Sequence, residues 1–190
     1  MQKNKLKNQS VRGVAVFGTI KVMVVASLLA AMSIVCGKYL AIGVGNVLRF
    51  SLENLPILLS GIAFGPVVGA VTGAVADLVG CLLVGYAVNP LVTLGAVLVG
   101  ATGGAVFSVL KKHTNCQHGI CTGLCVAISH LLGSVLVKTV GLSAFYDMPF
   151  GALLLWRLLN YAIVGTLEFT VLYFLTKNRA FVSMIGRVKK

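Results

Sequence analysis

Glycine recurs at every fourth position through the most patterned stretch of the chain: Gly61, Gly65, Gly69 and Gly73 share one register, and Asp77 takes its next place. The stretch is RFSLENLPILLSGIAFGPVVGAVTGAVADLVG, from Arg49 to Gly80. Residues four apart share a helix face, and where they are small another helix backbone can come close, which is how helices associate inside lipid. A carboxylate in that setting is expensive, so Asp77 needs a partner or water. As one helix, Pro56 to Gly85 would run about 45 Å, against a hydrocarbon core of about 30 Å. Gly65-Pro66 is therefore read as a break between two consecutive helices, with a polar lead-in of Arg49, Glu53 and Asn54 before the first.

Composition fixes the solvent. Of 190 residues 58% are hydrophobic and 11% charged, and the mean hydropathy is +0.98. That is an integral membrane protein with room for one domain, residues 1–190, of roughly six helices of about 20 residues. The net charge of +12 would suggest nucleic acid in a soluble chain. Here the charges gather at membrane edges and no basic patch is interleaved with stacking residues, which excludes that class.

The first helix is expected from about Val16 or Thr19 to Tyr39, after a basic segment, residues 1–13. A signal peptide fits poorly: the apolar run is longer than an h-region of about 7–15 residues, and Val35 precedes Cys36 where a small residue belongs. The second and third helices are Leu55 to Phe64 and Pro66 to Tyr86. Asn89-Pro90 signals a turn before a fourth helix, Leu91 to Leu110. A fifth runs from Ile120 to Val140 and carries His130 and Lys138. GLSAFYDMPFG reads as an aromatic, turn-rich loop, Gly151 to Thr176 as the sixth helix, and residues 177–190 as a basic tail. The fold class is thus an all-α integral membrane protein, a bundle of six transmembrane helices. Both termini are placed in the cytoplasm, because the N-terminal lysines, Lys111, Lys112 and the C-terminal cluster then all lie inside.

With that topology Arg49, Lys138 and Arg157 fall toward the external side, near Tyr146, Phe150, Trp156, Asn160 and Tyr161. Guanidinium and ammonium suit a carboxylate, aromatic faces a flat ring, and amides or carboxylates a hydrogen-bonding edge. The alternative is that Arg157 pairs with Asp147 or Glu168, Lys138 snorkels, and the aromatics form an interfacial belt. Catalytic motifs are missing: there is no HExxH, no GxSxG and no P-loop, so energy for uphill transport would come from another subunit. His130 on an apolar helix reads as a packed or hydrogen-bonded histidine. Cys116, His118, Cys121, Cys125 and His113 lack a CxxC knuckle and run into a helix, which favours reduced thiols over zinc, and no cofactor is expected.

The ENLPI, GxxFGPxxGxxxG and DLxG elements of the opening stretch resemble the substrate-binding membrane subunits (S components) of energy-coupling factor vitamin transporters, most closely the folate-specific members. The resemblance implies a six-helix bundle that binds a vitamin from outside and joins a transmembrane coupling protein and two cytosolic ATPases. It implies that Ala26 and Ala30, an AxxxA pair on the first helix, face the coupling protein. It also places Arg49, Glu53 and Asn54 in the family's lead-in segment and Asp77 in its DLxG element. Folate would set its carboxylates against Arg49, Lys138 or Arg157, its pterin ring against Trp156 or Tyr146, and its edge against Asn160, Asp77 or Asp147.

The leading expectation is a non-enzymatic folate-binding S component in a cell membrane. Alternatives are the same architecture serving another vitamin or precursor, a small intramembrane enzyme using Asp77 and His130 as acid and base, and a homo-oligomer sealed along Gly61, Gly65 and Gly69.

Overall fold

The structure, a computed structural model, describes residues 19–44, 48–113, 117–146 and 149–188. The basic segment 1–13, Cys116, Asp147, Lys189 and Lys190 lie outside the described residues. In chain order come α1 (Ile20–Tyr39), an antiparallel hairpin of β1 (Ile42–Val44) and β2 (Leu48–Phe50), α2 (Asn54–Phe64), α3 (Pro66–Val84), α4 (Pro90–His113), α5 (residues 118–146), α6 (Phe150–Lys177) and α7 (Arg179–Val188). Five helices, α1 and α3 to α6, are long and apolar enough to cross a membrane by length and composition.

The short α2 is the exception among the expected spans. Its 11 residues cover about 16 Å, half of a hydrocarbon core. Almost every residue along it is buried, so it is apolar all round because it has protein on every side rather than lipid on one. It ends at Gly65, whose φ of 104° suits a residue without a side chain, and Pro66 opens α3 where its missing N–H leaves no bond unmade. The break read from Gly65-Pro66 is therefore present. At the other end of α3, Gly85 is left-handed (φ 73°), and Tyr86 N–H donates to the Cys81 carbonyl at 2.9 Å, closing the helix in a Schellman arrangement. Asn89 caps α4, its Oδ1 accepting from Leu91 N at 3.0 Å, while its Nδ2 donates to the Gly141 carbonyl of α5 at 2.9 Å.

The glycine register is consumed inside the chain. A Cβ on Gly61 or Gly69 would strike the Gly100 carbonyl, one on Gly73 the Ala96 carbonyl, and one on Gly104 the Gly61 carbonyl at 2.7 Å. Thus α2, α3 and α4 lie backbone against backbone. Gly61 and Gly69 line an intramolecular seam, and Gly65 serves the turn, which corrects the homo-oligomer reading. Ala26 and Ala30 are likewise buried, packed with Ala63, Phe64, Val68 and the central cluster around Leu58. The open face of α1 is that of Met23, Ser27, Leu28 and Ala31.

Three further features depart from expectation. The β hairpin pairs Ile42 with Phe50 and Gly43 with Arg49, where only a loop was foreseen. Residues 141–146 of the expected aromatic loop continue α5 as helix. The tail folds as α7, which turns Phe181, Ile185 and Val188 toward the core.

Candidate functional site

The hairpin connection delivers Glu53 and Asn54 into the bundle at the start of α2. Ser33 of α1 holds this point by donating its hydroxyl to the Glu53 carbonyl at 2.6 Å. The Glu53 carboxylate receives a hydrogen bond from Lys138 Nζ at 3.0 Å, an ion pair whose ammonium is 4% exposed and whose carboxylate is 29% exposed. Both members lie over glycines. A Cβ on Gly37 would sit 2.8 Å from Glu53 Oε2, and one on Gly95 2.5 Å from Lys138 Cγ. Those two glycines leave the room in which a four-carbon side chain from α5 reaches a carboxylate across the bundle.

Burial pushes the Glu53 carboxyl up. Lys138, with Lys38 and Arg157 adding their fields, more than offsets this and holds it at about 2. Glu53 is therefore an anion at any physiological pH. Ser33, Gly37, Lys38, Glu53, Asp77 and Lys138 surround a cavity of about 20 Å³ together with apolar residues, space for about one water. Asp77 has found the partner its setting demands, accepting from Thr93 Oγ1 at 2.6 Å. Lys38 stands 5.4 Å over the Tyr86 ring.

Beside the ion pair runs a second polar group between α5 and α6. Residues His130–Val137 of α5 are π-helical, a form concentrated at functional sites. His130 Nε2 meets Glu168 Oε2 at 2.5 Å, and its ring stacks on Tyr161 at 4.9 Å. Ser134 lies 3.4 Å from His130 Nδ1 and 3.5 Å from Asn54 Nδ2. Arg157 Nη1 donates to the Ser134 carbonyl at 2.6 Å, its guanidinium 6.0 Å from the Tyr161 ring. Buried Asn54 Oδ1 and Glu168 Oε1 accept no hydrogen bond from the described residues.

Of the predicted residues, Glu53 and Lys138 meet directly, Asp77 lines the same cavity, and Asn54 and Arg157 converge on Ser134, one turn before Lys138. Of the two carboxylates proposed for Arg157, Glu168 meets His130 instead, and Asp147 lies outside the described residues. Lys138 is buried rather than snorkelling. Asn160 lies one turn beyond Arg157, Trp156 is 45% exposed on α6, Arg49 is placed by its backbone in β2, and Tyr146 closes α5. Asp77 and His130, the acid and base of the enzyme alternative, have separate partners. Sequence reasoning missed Gly37, Ser33, Thr93 and Ser134 as parts of this cluster.

A larger groove of about 370 Å³ lies between α5 and α6, walled by Leu131, Leu158, Ala162, Phe169 and the bare faces of Gly123 and Gly165. Its lining includes no lysine or arginine among the described residues. Among the described residues no group of His, Cys, Asp and Glu is placed to hold a metal ion.

Residues 21–185 match the family described as ECF transporter, substrate-specific component. The chain belongs to that family. Its members are the substrate-binding membrane components of transporters, which accords with a bundle offering a charged cavity and five spanning helices. The folate transporter FolT of Clostridium novyi (strain NT) is 27% identical over 155 residues, 81% of this chain and 87% of the relative. A crystal structure of FolT bound with folic acid is similar at 26% identity and a TM-score of 0.67, covering 85% of this chain and 97% of that one. The S component for biotin from an ECF-type ABC transporter shares the fold at 18% identity, with a TM-score of 0.60 over 84% of this chain and 92% of its own.

Proposed function

We propose that this S component captures folate on the outer side of the cell membrane and delivers it inward. It would work with a transmembrane coupling protein and two cytosolic ATPases. The observation that carries the ligand class is the buried Lys138 ammonium, with Lys38 at the same cavity and Arg157 nearby on the Ser134 carbonyl: cations that can exchange their present partners suit a ligand carboxylate. Similarity to FolT at 26–27% identity, against 18% for the biotin protein, supports folate over other vitamins. In this reading the chain is one multi-pass transmembrane domain. Its five spans and the half-length α2 make up the six-helix bundle, and both termini lie in the cytoplasm with most of the lysine and arginine.

The folate carboxylates are assigned to Lys138, Arg157 and Arg49. The pterin is assigned to Trp156 or Tyr146, with Asn54, Asn160 or Asp77 at its edge. Glu53 holds Lys138 until a ligand arrives. A cavity of about 20 Å³ is far below the roughly 300 Å³ of even a small ligand pocket. The hairpin connection that brings Glu53 in must therefore move aside, and its return would close the site over the vitamin.

Trp156 is the single tryptophan, so its fluorescence reports on this site. Titration of the detergent-purified chain with folate should quench it saturably, and riboflavin or biotin should not after correction for absorbance. No response from a folded sample shown free of carried-over folate would refute the assignment.

A further inference from the structure

We propose that the end of the bundle closed by α7 is a binding site for an anionic phospholipid, an acyl chain entering the space under α7 and the phosphate meeting the cations around it. A cavity of about 120 Å³ lies there, where the ends of α2, α4, α5 and α6 come together over α7. Its walls are apolar, with Leu59, Ile62, Phe107, Phe181 and Ile185, while Lys111, His118 and Thr176 supply its polar edge. The His118 ring is fixed to Thr176 Oγ1 at 2.8 Å, and Lys111 stands exposed, 5.9 Å from the Phe107 ring.

The helix beneath this cavity is built for an interface. On α7 Phe181, Ile185 and Val188 pack onto the bundle, and Arg179 and Arg187 are exposed on the opposite face. Val182 and Met184 remain 49% and 54% exposed at the two borders between those faces. Cations backed by uncovered apolar side chains match the boundary between headgroups and acyl chains. Lys21 and Lys177 are exposed at the same end, and no described acidic residue offsets them. Glu53 and Asp77 sit at the other site, and Glu168 is buried against His130. Anionic leaflets attract such clusters.

A vitamin bearing carboxylates does not match the observation, because the walls are apolar and the cations stand exposed at the rim rather than inside. A protein partner would cover the same arginines and apolar borders, and it is the outcome that the last arm of the test reads. The inference rests on the proposed orientation in the membrane and not on the identity of the vitamin.

The test is native mass spectrometry of the full chain, delipidated in detergent and titrated with dioleoyl phosphatidylglycerol or, separately, dioleoyl phosphatidylcholine. The anionic lipid should bind at least fivefold more tightly. The triple variant Lys111→Gln, Arg179→Gln, Arg187→Gln should bring the two lipids within twofold, and a Val182→Ser, Met184→Ser variant should weaken both. All substituted residues are exposed, and an unchanged melting temperature of each variant would show that the fold survives and keep this test separate from the ligand assignment. Equal binding of both lipids by the wild type, or undiminished preference in the triple variant, overturns the proposal. So does a wild type without lipid preference whose triple variant no longer associates with the coupling proteins.

Discussion

Where α2, α3 and α4 meet, backbone lies on backbone, with Gly61, Gly69 and Gly73 on one side and Ala96, Gly100 and Gly104 on the other. Where α5 meets α2 and α6, the space is filled instead by side chains that can change partners: Lys138 on Glu53, Arg157 on a backbone carbonyl, His130 on Glu168. The first region has one arrangement, since no rotamer can relieve a clash between main chains. The second has alternatives, because a ligand carboxylate can replace Glu53 at Lys138 without moving a helix. The contrast separates what frames the molecule from what binds.

The largest effect that tests this contrast is steric. Gly100→Val should yield no folded protein, because even a Cβ there overlaps the Gly69 carbonyl, whereas Gly123→Ala, whose Cβ would meet Phe169 at 3.5 Å, should change stability by no more than about 0.5 kcal/mol. Size-exclusion profiles and thermal melts in detergent would check both. Next comes Glu168→Ala, which leaves His130 Nε2 buried without its hydrogen-bond partner; stranding a buried polar group costs about 1–3 kcal/mol, read as a lowered melting temperature with folate affinity reduced only through instability.

On the binding side, Arg157→Gln, which withdraws the guanidinium from the Ser134 carbonyl, should lower folate affinity by about tenfold, or about 1.4 kcal/mol, with a smaller loss of melting temperature. Equal damage to fold and binding would erase the distinction between the regions. The smallest effect is acid-dependent. The Glu53 carboxyl, held at about 2 against an ordinary 4.5, contributes stability that is fully present above pH 4.5 and lost as pH falls toward 2. Melting temperatures between pH 7 and 3 should therefore decline below about 4.5, and Glu53→Gln should flatten that part of the decline.

Much of the frame was legible because its causes are local. Gly65-Pro66 and Asn89-Pro90 mark breaks that any chain would make there, and apolar runs of span length declare their solvent. The π-helical turn at His130, the hairpin around Arg49 and the helix in the basic tail were not legible, since each depends on what packs against it: α7 forms because Phe181, Ile185 and Val188 find the bundle's end. The site was half legible. Charges isolated in apolar sequence stand out, so Lys138, Arg157, Glu53 and Asp77 could be singled out. Their pairing could not be, because the space that lets Lys138 cross to Glu53 is made by Gly95 and Gly37, two glycines among 22. The AxxxA pair of Ala26 and Ala30 is legible only in part for a related reason: small residues mark close approach without saying whether a neighbour within the chain or a partner makes it.

The most direct test of the account is equilibrium binding of tritiated folate to the purified wild type and to Lys138→Met, both verified as folded by thermal melting. Saturable binding by the wild type, weakened at least tenfold in the variant, is the predicted result. Equal affinity in the two proteins would place the vitamin away from the Glu53–Lys138 pair, and absence of binding by a folded wild type free of carried-over ligand would contradict folate altogether.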